Sequence, residues 1–270
     1  MCGSCWPMNA NSTPARKAAE IRRILKRDGS SRHAQGVQSF FKHEIQSHGW
    51  YTGDLRRLAR SYRRSIAKDF GIDFLIEVAN QLFVGQMLEE KIFAVLLLEK
   101  WTDRFDHSQF ALFESWIERI SSWADHDALT HYLIAPMIAS RPERASRVFR
   151  WAKSSDRWQR RAACVALVHC TRQRRLFRQV TQLTGLLLKD PDDMVQKGLG
   201  WLLRETAKSD PARTVPYLLR IRERAPRLVL RTACETLNPA LRRRVLASGG
   251  KTTSRTGLGR TSKSGVPLRP

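Results

Sequence analysis

Acidic residues are scarce in this chain. Its 270 residues include 25 Asp and Glu against 48 Lys and Arg, a formal net charge of +23. An imbalance of that size favours a polyanionic partner, nucleic acid ahead of an acidic membrane surface. The excess is not confined to the ends: residues 1–35 and 248–270 each carry a net +5, which leaves +13 for residues 36–247. Long apolar runs are also missing. None exceeds the length of Ile92-Phe-Ala-Val-Leu-Leu-Leu98, far short of the roughly 20 residues needed to cross a bilayer. No hydrophobic signal region opens the chain, so a soluble, cytoplasmic protein is expected. The five cysteines, Cys2, Cys5, Cys164, Cys170 and Cys234, are odd in number and scattered, which argues against a disulfide framework and for a reducing compartment. Cys2 and Cys5 form a single CxxC without the second ligand pair that a zinc site needs, and neither a metal nor another cofactor is assigned. Alternating strand patterns are absent.

What fills the chain is helical periodicity. Candidate helices lie near 16–28, 37–47, 54–68, 72–84, 88–102, 108–120, 124–139, 141–152, 156–172, 175–189, 192–208, 211–223 and 226–246. Residues 1–14 are small, polar and proline-bearing, and 248–270 are rich in Gly, Ser, Thr and basic residues; both are expected to be disordered. Residues 15–35 read as a basic N-terminal helix and linker, and 36–247 as the main domain. Helix-start chemistry marks the joints at Asp54, Ser108, Ser155-Asp156 and Ser209-Asp210-Pro211. Short joints between amphipathic helices make neighbours antiparallel.

The helices recur. Arg157-Trp-Gln-Arg-Arg-Ala-Ala-Cys-Val-Ala-Leu167 and Met194-Val-Gln-Lys-Gly-Leu-Gly-Trp-Leu-Leu203 share a polar, basic opening followed by small residues and an apolar face, and Glu89–Leu98 is a weaker third copy. Arg161 and Trp201 stand 40 positions apart, within the unit of about 40–47 residues of paired-helix solenoids. The fold class is therefore all-α, a curved α-solenoid of HEAT-like antiparallel helix pairs with one helical layer lining a concave surface.

Val195-Gln-Lys-Gly-Leu-Gly-Trp-Leu-Leu-Arg-Glu205 stands out within this pattern. Leu199, Leu202 and Leu203 form a buried stripe, whereas Lys197, Arg204 and Glu205 fall on or beside the wet face. Gly198 and Gly200 each cost about 1 kcal/mol relative to Ala inside a helix, so each points to close approach by another backbone or by a ligand. Trp201 is then either a core residue at a tight helix crossing or an aromatic presented to a ligand.

Three motifs in order, Trp123-Ala-Asp-His-Asp127, Trp158-Gln-Arg-Arg161-Ala-Ala and Val195–Glu205, lie about one repeat apart. Over residues 36–247 the chain resembles the AlkD-type DNA alkylation-repair glycosylases. The resemblance implies a stack of HEAT-like repeats holding duplex DNA on a basic concave face, and hydrolysis of the N-glycosidic bond of purines alkylated at N3 or N7, such as 3-methyladenine and 7-methylguanine. It matches Asp127 to the catalytic carboxylate and Trp123 and Trp201 to the aromatics flanking the lesion. Arg161 matches an arginine supporting the site and the DNA backbone, Phe40 a position where relatives carry a tyrosine near the lesion, and Lys197 is a further candidate DNA contact. The resembled family holds the damaged nucleotide against its surface, so no deep pocket is required.

The residues suit that chemistry on their own terms. Trp123 and Asp127 are four apart and share a helix face. A purine alkylated at N3 or N7 already carries positive charge and leaves without a strong general acid, so a fixed carboxylate beside the cationic sugar is the group required. Tryptophan faces suit a cation, and an arginine fork suits phosphate. Competing readings accompany each residue: the tryptophans as core, Asp125 as the carboxylate in place of Asp127, and Arg161 as the partner of a structural acid. His126 is expected to face away from the Trp123–Asp127 line, and both it and His131 read as surface histidines. The rival functions are a non-catalytic HEAT-repeat nucleic-acid-binding protein and a scaffold for an acidic protein. A groove for duplex DNA needs one chain, so a monomer with no obligate protein partner is expected.

Overall fold

Side-chain caps open most of the helices. In the computed structural model, which describes residues 13–247, Thr13 accepts from the Arg16 amide to start α1 (Pro14–Arg27) and Ser30 caps α2 (Ser31–Gln38). There follow α3 (Thr52–Phe83), α4 (Leu88–Leu98), α5 (His107–Trp116), α6 (Trp123–Leu129), α7 (Ala135–Ser140) and α8 (Arg147–Trp151). The chain continues through α9 (Arg157–Val165), α10 (Val168–Arg172), α11 (Phe177–Leu187), α12 (Asp193–Ser209), α13 (Pro211–Ile221), α14 (Arg227–Ala233) and α15 (Pro239–Leu246). The described residues contain no strand, and the fold is the all-helical solenoid that the periodicity predicts. The readings made for Cys2, Cys5, residues 1–12 and residues 248–270 lie outside the described residues.

Asp156 and Asp210 cap α9 and α13, as their positions before Arg157 and Pro211 predict. Asp106, two residues before Ser108, caps α5 instead. The two helices expected at 54–68 and 72–84 run into each other as α3, with the joint surviving as a kink at Gly71, whose φ of 84° and ψ of 179° a residue with a Cβ seldom adopts. The helix expected at 37–47 does not form. Beyond α2 the chain runs without helix through residues 44–51, held by partners that local periodicity does not reveal. The Gln38 side chain accepts from the Ile45 amide and donates to the His43 carbonyl. The buried Glu89 carboxylate accepts from the amides of His48, Gly49 and Trp50 and from the Ser47 hydroxyl.

One layer of the stack runs α4, α6, α9, α12, α14, each packed on the next; α10, α11 and α13 pack against α12, and α3 packs on both α1 and α4. Phe83 and Trp116 stack at 4.3 Å in a core that also encloses Phe93, Phe110, Phe113 and Trp151. Full burial of each such side chain stabilises the fold by about 1.5–3 kcal/mol. The core tryptophans find polar partners, Trp116 on Asn80 and Trp151 on Glu114. Cys164, Cys170 and Cys234 are free and buried; burial pushes the Cys164 thiol up to about 12 and that of Cys170 to about 11. Among the described residues no helix is long and apolar enough to cross a membrane.

The two glycines of α12 have separate explanations. A Cβ on Gly200 would lie 2.6 Å from Thr232 Cβ of α14, so this glycine permits a close helix crossing. A Cβ on Gly198 would lie 3.1 Å from Arg161 Cγ, so that one leaves room for a side chain from α9.

Candidate active site

The site is assembled where α6 packs on α9 and α9 on α12. Ser122 opens α6 in a capping box with Asp125. Asp125 is fully buried and fully bonded: Oδ1 accepts from the Ser122 amide at 2.7 Å and hydroxyl at 2.6 Å, and Oδ2 from the Ser121 amide at 2.9 Å and hydroxyl at 3.0 Å. Lys91 Nζ, itself buried, lies 3.4 Å from Oδ2. Asp125 therefore holds the turn and has no face to offer a ligand.

Asp127 points the other way, toward α9. Arg161 grips it bidentately, Nε to Oδ1 at 3.0 Å and Nη2 to Oδ2 at 2.8 Å, while Nη1 donates to the Met194 carbonyl at 2.6 Å. The arginine fork that was matched to phosphate is occupied by Asp127, and the Arg161 side chain is only 7% exposed. The Asp127 side chain keeps 24% of its exposure. Burial works to raise its pKa, but the hydrogen bond with His126 and the Arg161 charge prevail and hold it at about 2. The carboxylate is ionised near neutral pH.

His126 corrects the sequence reading. It is fully buried, with Nδ1 2.8 Å from Asp127 Oδ1 and Nε2 3.1 Å from the Trp158 carbonyl oxygen. The surface assignment failed because α6 is covered on both sides, by α4 and by α9, so no wet face remains for residue 126. His131 is corrected as well. One turn beyond Asp127 and partly buried, it lies 5.3 Å from the Trp201 ring and 4.7 Å from that of His169. Burial lowers the pKa of all three histidines, of His169 to about 4.

The aromatics border a cleft of about 520 Å³ whose lining includes Phe40, Phe41, Trp123, Arg157, Trp158, Met194 and Lys197. Trp158 and Met194 are the residues whose carbonyls meet His126 and Arg161, so the cleft neighbours the Asp127 group through them, although Asp127 itself is not among its lining residues. Phe41, passed over in the sequence, stacks on Trp123 at 5.1 Å and 16°, whereas Phe40 stands 72% exposed at the edge. The segment carrying both is pinned by Lys42 to Asp193 at 2.9 Å and by His43 to the Ser121 carbonyl at 3.0 Å. Lys197 is half-exposed and lies 3.3 Å from Asp193. Trp201 lies beside the His131 ring and is not among the cleft residues. His126 and Trp158, which lie within quoted motifs, and Phe41, next to the candidate Phe40, have no role in the sequence reading.

A larger cavity of about 670 Å³ between α5 and α8 is lined in part by Glu114, a carboxylate already held by Arg147, Arg150 and Trp151. It shares no residue with the Asp127 group. Among the described residues no group of three or more His, Cys, Asp or Glu side chains is placed to hold a metal ion.

The profile of the family described as DNA alkylation repair enzyme matches residues 21–237. No curated protein matches the chain significantly. One similar solved structure is described as a predicted DNA alkylation repair enzyme from Enterococcus faecalis, with a TM-score of 0.70 at 15% identity, covering 78% of this chain and 97% of that one. At that identity the likeness establishes the fold.

Proposed function

The chain belongs to the DNA alkylation repair enzyme family, and from that premise we propose that it is a DNA glycosylase. It hydrolyses the N-glycosidic bond of cationic N3- and N7-alkylated purines, 3-methyladenine and 7-methylguanine, in duplex DNA, as a first step of base excision repair. The observation that carries this reading is Asp127: ionised, partly exposed and held in one orientation by Arg161. Its Oδ1 already meets two donors but Oδ2 only one, so Oδ2 keeps accepting capacity.

The alkylated base departs with the electron pair of the C1′–N bond and is neutralised by doing so. Positive charge then develops on the sugar, where a fixed carboxylate stabilises it and orients the attacking water. A carboxyl held at about 2 gives no proton near neutrality, which suits a leaving group that needs none. Neutral adducts, lacking that built-in charge, leave poorly. Arg161 positions Asp127, Trp123 and Trp201 flank the lesion, and Lys197, Phe40 and the basic surface hold DNA. One chain suffices for this.

The test is release of 7-methylguanine from methylated duplex DNA by the purified protein. Asp127→Asn lowers that release by about 100- to 1,000-fold while DNA binding is kept. DNA binding without base release by the wild type identifies a non-catalytic nucleic-acid-binding protein; equal activity in the variant removes Asp127 from the mechanism.

A further inference from the structure

His126 presents a hydrogen-bonding conflict. Its Nδ1 faces a carboxylate oxygen at 2.8 Å and its Nε2 a backbone carbonyl oxygen at 3.1 Å, and both are acceptors. A neutral imidazole has one N–H and one lone pair, so it satisfies only one of them. The ionised carboxylate is the stronger acceptor and takes the proton. Nε2 then turns its lone pair toward the Trp158 oxygen, and this enclosed contact becomes a hydrogen bond only when a second proton arrives from solvent.

The surroundings set the balance. From α6, Asp127 and Asp125 favour a second proton; from α9, the Arg161 guanidinium opposes it, and so does the complete burial of the ring. The Trp158 ring, 5.6 Å away, closes that side. Burial prevails and keeps the ring below the ordinary histidine value, so His126 is neutral at pH 7.

We propose that His126 is a positioning residue for Asp127 that works with one proton, and that uptake of a second between Nε2 and the Trp158 carbonyl turns the site down in acid. The singly protonated ring fixes Asp127 Oδ1 without adding charge. The imidazolium adds a full positive charge in contact with the carboxylate that is to stabilise a cationic sugar, in a setting with little water to screen it. Arg161 already supplies one such charge. The rate arm of this proposal rests on the glycosylase reading; the protonation arm does not.

Both arms can be measured on the full chain. Single-turnover release of 7-methylguanine is followed over about pH 5–8 for the wild type, His126→Asn and His126→Ala, with DNA affinity measured alongside and enzyme-free depurination subtracted. The Asn amide nitrogen sits where Nδ1 does and takes up no proton. The wild-type rate falls as pH drops below the ordinary histidine value, and His126→Asn lacks that limb. At pH 7 His126→Ala is slower by about 10- to 100-fold, the equivalent of one hydrogen bond to a charged group. His126→Asn recovers most of that loss, and DNA affinity is unchanged in both. An acid limb that persists in His126→Asn, or Asn and Ala variants that are equally slow, overturns the proposal. Independently, NMR titration of the His126 ring nitrogens without DNA shows protonated Nδ1 at neutral pH and proton uptake at Nε2 in acid. A ring protonated on Nε2 alone at neutral pH, or on both nitrogens throughout, overturns it too. An inactive wild type with His126 titrating as described retires the glycosylase reading and leaves the proton switch standing.

Discussion

Two carboxylates on the first turns of α6 divide the labour of this molecule. Asp125 is sealed by Ser121, Ser122 and Lys91 on the α4 side; Asp127, two residues on, is held by His126 and Arg161 on the α9 side and keeps part of its surface. Both are acids in low-dielectric surroundings beside a cation. What separates them is how many accepting positions remain. Asp125 meets an amide and a hydroxyl at each oxygen, with Lys91 besides, whereas Asp127 leaves Oδ2 with one donor. A buried acid with every acceptor filled maintains structure, and one with an acceptor left over can address a ligand.

The contrast can be broken from either side. The largest effect is expected for Asp125→Ala, which strands the buried Lys91 ammonium and removes about 3–5 kcal/mol of stability in denaturant unfolding. Any activity that survives should scale with the folded fraction. Asp127→Asn has the opposite profile, losing about 100- to 1,000-fold in base release while unfolding far less readily than Asp125→Ala. If the two variants lose stability and rate in the same proportion, the division of labour is wrong.

Acid titration is a milder probe. Because the Asp127 pKa is depressed in the fold, its contribution is complete above the ordinary carboxylate value near 3.8 and is lost as pH falls toward about 2. The shift corresponds to about 2 kcal/mol, which Asp127→Asn should not show. The two glycines repeat the contrast in α12. Gly200→Ala pushes against Thr232 and costs about 1–3 kcal/mol of stability, whereas Gly198→Val displaces Arg161 and lowers the rate by about tenfold or more. Trp201→Ala should likewise impair base release more than melting temperature. The smallest effect belongs to Lys42→Ala, which removes an exposed ion pair with Asp193 and changes stability by less than about 1 kcal/mol; a larger change would show that the segment carrying Phe40 and Phe41 is held mainly by that pair.

Much of this was legible in the sequence, and the exceptions share a cause. Helices with an apolar stripe and an Asp or Ser cap, such as α9, α12 and α13, follow from local pattern because one face is dry and one is wet. Residues 37–47 carry a similar stripe, but Glu89, some forty residues away, commands the amides that follow. His126 departs from the local pattern because α6 has packed neighbours on both sides, α4 and α9. Arg161 was identified, but only the fold could show that its fork closes on Asp127, because the pair is 34 residues apart and meets through a notch left by Gly198. Phe41 differs from Phe40 by one position, which sequence spacing could not resolve where no helix exists to fix direction.

The buried cysteines have a consequence for where such a protein can survive. Alkylating agents attack thiolates as they attack purines, and a thiol held at about 12 is ionised in on the order of one molecule in 10⁵ at neutral pH. Cys164 meets that condition, Cys170 comes within about one unit of it, and both lie out of solvent. A repair protein is needed when electrophiles are abundant, and these sulfurs offer such reagents almost no nucleophile to consume. The expected outcome is slow modification: methyl methanesulfonate alkylates Cys164 far more slowly in the folded protein than in the unfolded chain.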